Sequence, residues 1–364
     1  MITIEEVKAI LKKFVRRGLM LMLLISPIFL SCIQELGVFT GVEEAFVIDG
    51  VITNEFGPHV IKIAKTKQYN TARNYFAEVE NAIVIIEDDL GNTIQLTDKR
   101  AGIYHTPDNF IGVIGNSYRI TVTLNSGIVY QSEYEELFPV PSIDKLTFGL
   151  ADKEILSDEN LIIKERVVSF FVDFKDPANV DNFYKWRYHE TFEIFAPKAE
   201  ELELPNITCW AQDYDREFLK IDRDLLFDGK EMRDFEVFYA EIGKKFAEDY
   251  FVKIEQQSLT PKAYSYWETI KNQIDNNGTI FETSNFQIRG NISNLNDNDE
   301  LVLGYFGASA VTSMSILVHP GDIGFVFFYA CEPDPFSGRI PTICLDCTSY
   351  SASSTTTKPD YWPL

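Results

Sequence analysis

From Ala45 to Tyr134, short runs of β-branched and aromatic residues alternate with polar positions and end at turn formers: "AFVIDGVIT", "HVIKIAKT", "NAIVIIED", "TIQLTD", "GIYHT", "SYRITVTL" and "GIVYQSE". A period of two sends successive side chains to opposite faces of a strand, so about seven such runs predict an antiparallel β-sandwich, immunoglobulin-like or transthyretin-like. The joins hold what hairpin loops require, Leu90-Gly91-Asn92 after one run and Asn125-Ser126-Gly127 after another. In "LFPVPSIDKL", Pro139 and Pro141 keep the backbone extended and remove two donors, which marks a seam.

Strands resume after the seam with "DKLTFGL", "RVVSFFVDF" and "NFYKWRYHETFEIF". In the last run Tyr184, Trp186 and Tyr188 alternate with Lys185, Arg187 and His189, the pattern of one aromatic face packed inward and one polar face in water. "SLTPKAYSYWETIKNQIDNNG" predicts a helix at about 260–276: Thr260 caps it, Pro261 suits its first position, and Asn277 with Gly278 stops it. Ala263, Trp267, Ile270 and Ile274 recur on one side of that helix, a face predicted to pack on a sheet. Further strands follow in "NFQIRGNI", "LVLGYFGASA", "TSMSILV" and "IGFVFFYAC". The expected fold is mainly β: a sandwich at 45–138, a linker at 139–142, a larger β-rich domain with at least one packed helix at 143–348, and a tail at 349–364.

Charge narrows the partners. The 33 Lys and Arg against 55 Asp and Glu give a net charge of −22, which repels phosphate backbones, so nucleic acid is not an expected partner. The start of the chain has a different character. Basic residues up to Arg17 precede an uncharged apolar run from Leu19 to Leu30, shorter than the ~20 residues that span a bilayer, and then come Ser31 and Cys32. This resembles a bacterial lipoprotein signal: residues 1–31 are the expected signal peptide, Cys32 the lipidated residue, and 32–44 a tether from the membrane.

With Cys32 lipidated, Cys209, Cys331, Cys344 and Cys347 remain, and an even count in an oxidising envelope compartment predicts two disulfides whose pairing is open. A single Cys-x-x-Cys at 344–347 supplies half of a zinc site and leads into a Ser/Thr-rich end, so neither metal nor redox chemistry is expected there. His59, His105, His189 and His319 lack ligand or base spacing, and the acidic stretches at 87–89, 213–217 and 296–300 lack a calcium-loop pattern and read as solvated turns. No catalytic residue, metal or cofactor is expected. Trp186, Tyr188 and Trp210 are the aromatics that an aromatic ligand cleft would use, although strand alternation accounts for them as core.

The blocks "VIDGVITNEFGPHVIKIAKTKQYN", "GVIGNSYRITV" with "VPSID", "FKDPANVDNFYKWRYHETFEI", "CWAQ", "SLTPKAYSYWETIKNQIDNNGTIFE", "IRGNISN", "VLGYFGASAV" and "CLDC" with "KPDYW" occur in this order over most of the chain. They resemble the DUF4249 lipoproteins of Bacteroidota. The resemblance implies an outer-membrane or surface lipoprotein, often encoded beside a TonB-dependent outer-membrane transporter, and it brings no catalytic residues. Members often carry a cysteine shortly after the "GNI" block, where this chain has Ser293 and Asn294, so no disulfide pairing follows from it. The expected role is that of a non-catalytic accessory or binding partner of a TonB-dependent system. The alternatives are an envelope carbohydrate-binding module or enzyme built on the aromatic cleft, and a structural surface adhesin.

Overall fold

The computed structural model of the chain describes residues 44–67, 76–156, 161–214, 219–276, 288–324, 327 and 330–363. The expected signal peptide, Cys32 and most of the tether lie outside the described residues.

Among the described residues the alternating runs form four sheets, paired as two sandwiches. One sheet of the first sandwich contains β1 (Phe46–Thr53), β2 (Val60–Thr66), β3 (Phe76–Glu78), β6 (Thr97–Asp98), β7 (Ile103–His105), β19 (Val302–Leu303) and β20 (Phe306–Ser309). The facing sheet contains β4 (Ile83–Asp88), β5 (Thr93–Gln95), β8 (Ser117–Thr123), β9 (Val129–Ser132), β10 (Glu135–Glu136) and β18 (Ile292–Asn294). Ile48, Ile52, Ile61 and Ile63 from the first meet Val84, Ile86, Ile120 and Val122 from the second, and none of them is more than 1% exposed. Each such side chain stabilises the sandwich by roughly 1.5 to 3 kcal/mol relative to an exposed one.

The second sandwich pairs a three-stranded sheet with a five-stranded one. The first is β11 (Ile143–Leu156), β12 (Ile162–Lys175) and β16 (Glu231–Glu241); the second is β13 (Phe183–Phe195), β14 (Thr208–Tyr214), β15 (Lys220–Arg223), β17 (Tyr250–Ser258) and β21 (Val311–Val318). Its core sets Val168, Phe170, Val172 and Phe174 of β12 against Tyr184 and Trp186 of β13 and Val252 and Ile254 of β17. Val140, between the two prolines of the seam, packs against both cores.

Residues 292–309, assigned from sequence to the second domain, complete the first sandwich instead. β20 runs parallel to β1, from Gly50 opposite Phe306 to Thr53 opposite Ser309, and β18 lies antiparallel to β9. The side of β1 away from β2 needs backbone partners, and the returning chain supplies them across some 250 residues, a pairing that local periodicity does not encode. Where "IGFVFFYAC" predicts a strand, Phe325, Val326, Phe328 and Tyr329 lie outside the described residues, and the described Ile323, Gly324, Phe327, Ala330 and Cys331 carry no strand.

The predicted helix forms at Pro261–Asn276. The Thr260 hydroxyl accepts from the Ala263 N–H at 3.1 Å, which caps the helix, and donates to the buried Glu135 carboxylate at 2.6 Å. Glu135 also accepts from the Tyr305 hydroxyl at 2.6 Å and the Asn291 amide at 3.4 Å. One carboxylate thereby ties the end of the first sandwich to the start of the helix and to the returning chain. Burial raises the pKa of Glu135, and these three hydrogen bonds partly offset the rise.

Candidate functional site

A cleft of about 770 Å³ opens where the outer face of the β1–β2–β20 sheet meets the outer face of β13 and β17, with the long helix along one side. That volume lies within the usual range for small-molecule sites, roughly 300 to 1,000 Å³. Because strand side chains alternate, the residues opposite Trp186 on β13 point away from the core. Lys185, Arg187 and His189 therefore enter the cleft, beside Glu255 and Gln257 of β17, which stand in register with Arg187 and Lys185. Asp49 of β1 and its cross-strand neighbour Lys62 of β2 come from the other wall.

The charges fall into two groups. Glu255 is 7% exposed and already satisfied, with His189 Nε2 at 3.3 Å and Lys253 Nζ at 2.9 Å. Burial alone raises a carboxyl pKa, but the hydrogen bonds and charges of His189 and Lys253 outweigh it and hold Glu255 at about 2. Around Asp49 the balance is reversed. Its carboxylate is reachable by water from the open side, yet the surrounding walls strip away enough solvent to raise its pKa, against the pull of Lys185, Lys62 and Arg187. Three cations thus surround one carboxylate. Lys185 is further held by the Trp267 ring, with Nζ 3.2 Å from its centroid. Among the described residues, the side chains of Arg187 and Lys62 make no hydrogen bond or direct ion pair.

Aliphatic and aromatic surface completes the site. Ala263 of the helix is buried with Leu259, Tyr264 and Tyr305 in a small separate core, but Trp267 and Ile270 are only half-buried and Ile274 is 50% exposed. The apolar face of the helix, expected to pack on a sheet, does so over its first turn and then borders the cleft. His59, at the other wall, is held by Thr53 Oγ1 at 3.0 Å and Thr106 Oγ1 at 3.3 Å, and burial lowers its pKa. It adds no charge at neutral pH. Glu55, exposed on the loop after β1, is the remaining carboxylate on the walls.

The three aromatics singled out from sequence do not converge. Trp186 is 1% exposed and packs on Phe174 and Phe235, because alternation places it on the inward face of β13. Tyr188 stacks on Phe238 at 3.7 Å and lines a separate hollow of about 670 Å³, where buried Glu190 pairs with Lys245 at 3.0 Å and accepts from the Tyr250 hydroxyl. Trp210 meets Trp362 edge-on at 6.4 Å under the C-terminal segment. No aromatic cleft forms from these three. The four late cysteines pair as Cys209–Cys347 and Cys331–Cys344.

Sequence reasoning missed the basic face of β13, which it assigned to water. Its signal was present: Lys185, Arg187 and His189 occupy three successive positions of one strand face in a strongly acidic chain. It also missed a convergence of Asp176, Asp224 and Asp228, whose carboxylate oxygens lie within 4.8 Å of one another. These are the residues that could hold a metal, but their oxygens already accept from the Tyr184 hydroxyl and the Gly229, Asn182 and Asn179 N–H groups.

A family model described as "Domain of unknown function (DUF4249)" matches residues 35–315, more than half of the chain. No curated protein matches the chain.

Proposed function

We propose a function from the premise that the chain belongs to the DUF4249 family: it is an envelope lipoprotein, anchored through Cys32 at the outer membrane, that binds a small ligand without transforming it and serves a TonB-dependent transport system. The observation that carries the binding reading is the cleft of about 770 Å³, walled by both sandwiches and the long helix and lined by charged side chains beside Trp267. Two rigid sheet faces hold such groups in place before a ligand arrives, which lowers the entropic cost of binding. The anchor rests on the apolar run before Cys32, and the transporter link rests on the resemblance noted above. Among the described residues no helix is long and apolar enough to cross a membrane.

Metabolic labelling with a fatty-acid analogue is expected to mark the wild-type protein and to be lost in Cys32→Ala; persistent labelling removes Cys32 as the anchor. Affinity purification of the labelled protein from detergent-solubilised envelopes is expected to recover one outer-membrane barrel reproducibly. Recovery of no barrel rejects the transport role.

A further inference from the structure

The Arg187 guanidinium carries five N–H donors, is half-buried, and has no hydrogen-bonding partner among the described residues. Its planar fork matches two oxygens of a carboxylate or phosphoryl group. Lys62, exposed at the edge of the cleft, has no direct side-chain partner among the described residues either, and Lys185, held on Trp267, stands two positions before Arg187 on the same face of the strand. The carboxylate nearest them, Asp49, feels the charges of Lys185, Lys62 and Arg187 but forms no direct ion pair with Arg187 or Lys62. Glu255 offers Arg187 no free charge, since its carboxylate is already taken by Lys253 and the His189 ring. In a protein whose net charge is −22, a half-buried guanidinium lining a cleft with no side-chain partner among the described residues is an exception in need of a counter-ion.

We propose that this spot binds the oxyanion group of a small ligand, with Arg187 as the bidentate anchor, Lys62 and Lys185 as flanking cations, and the apolar part of the ligand against Trp267 and Ile270. The inference rests on the ligand-binding reading above and adds the class of ligand: a molecule with a dicarboxylate or phosphoryl head and an apolar or flat body. Asp49 acts against the anion. It keeps the three cations from repelling one another in the empty cleft, and its own charge lowers the affinity for another carboxylate or phosphate.

The test is isothermal titration of the full-length protein in detergent at low ionic strength with three probes: succinate, inorganic phosphate and neutral maltose. At least one oxyanion is expected to bind saturably, and which one it is identifies the head group. Loss of a charge-assisted hydrogen-bonding pair weakens binding by about tenfold or more, so Arg187→Lys and Lys62→Met are each expected to do so. Asp49→Asn is expected to tighten binding, an outcome that a misfolded variant cannot mimic. Raising salt to about 0.5 M is expected to weaken the anion and leave maltose unchanged. If neither oxyanion binds, or if Asp49→Asn does not tighten binding, the oxyanion assignment is wrong. Saturable maltose binding that Trp267→Ala abolishes, with no response to the anions, rejects the oxyanion and keeps the ligand-binding reading; a cleft that binds none of the three loses both.

Discussion

Glu255 and Glu135 are both buried carboxylates, and their partners give them opposite dependences on pH. Glu255 faces the Lys253 ammonium and the His189 ring, so its folded-state pKa of about 2 lies below the ordinary 4.5. A depressed pKa stabilises the folded state above the ordinary value, and the contribution disappears as pH falls from 4.5 towards 2. The amount at stake is on the order of 3 kcal/mol. Glu135 has hydroxyl and amide partners and no ion pair, so burial raises its pKa; its contribution is complete below the ordinary carboxyl range and declines as pH rises through the raised value. Urea unfolding of wild type and Glu255→Gln at pH 6 and pH 2.5 is expected to show wild type losing on the order of 3 kcal/mol more than the variant over that interval. Equal losses in the two proteins would mean that the His189 and Lys253 pairing does not stabilise the fold.

The long helix separates what local chemistry encodes from what it does not. Its start was legible, because Thr260 and Pro261 act on the turn that follows them. Thr260 also reaches Glu135 across 125 residues, which no local rule announces. Thr260→Ala therefore removes a cap, worth about 1 kcal/mol, and leaves a buried carboxylate short of a donor, a further 1 to 3 kcal/mol or so. Chemical denaturation is expected to show a loss of about 2 to 4 kcal/mol for Thr260→Ala and to place Thr260→Ser within about 1 kcal/mol of wild type. A loss near that of an ordinary cap in the alanine variant would break the link to Glu135. The strands divide in the same way. Alternation along β13 correctly sent Tyr184 and Trp186 inward, but it describes a face open to bulk water and a face lining a cleft in identical terms. The opposite wall carries Asp49 and Lys62, more than a hundred residues earlier, and only the fold brings it across from Arg187. The β20 pairing with β1 was hidden for the same reason: a parallel neighbour contributed by a distant crossover leaves no period in the chain.

At the scale of the whole molecule, the chain end is fastened to the second sandwich by covalent and non-covalent means that can be separated. Cys347 bonds to Cys209 of β14, closing a loop of sequence separation 138, whereas Cys331–Cys344 closes one of only 13. Beyond the bond, Thr355 exchanges both backbone hydrogen bonds with Trp210 at 2.9 Å, the Tyr361 hydroxyl meets Thr191 and Gln212 at 2.8 Å each, and Trp362 packs on Trp210 and Phe251. Cross-linking removes more entropy from the unfolded chain when the closed loop is longer, about 5 kcal/mol for the long loop against about 3 for the short one. Cys209→Ala/Cys347→Ala is thus expected to lower unfolding free energy more than Cys331→Ala/Cys344→Ala, by about 1 to 2 kcal/mol in guanidinium titrations. Equal effects, or the reverse order, would show that the native-state contacts of each bridge outweigh loop length. None of Cys209, Cys347, Trp210 and Trp362 lines the cleft. Below its melting temperature the Cys209→Ala/Cys347→Ala protein is therefore expected to expose its C-terminal tryptophan to acrylamide quenching while titrating succinate or phosphate like wild type. A coupled loss of binding would mean that the staple also sets the position of β13, the strand that presents Lys185 and Arg187 and pairs directly with β14.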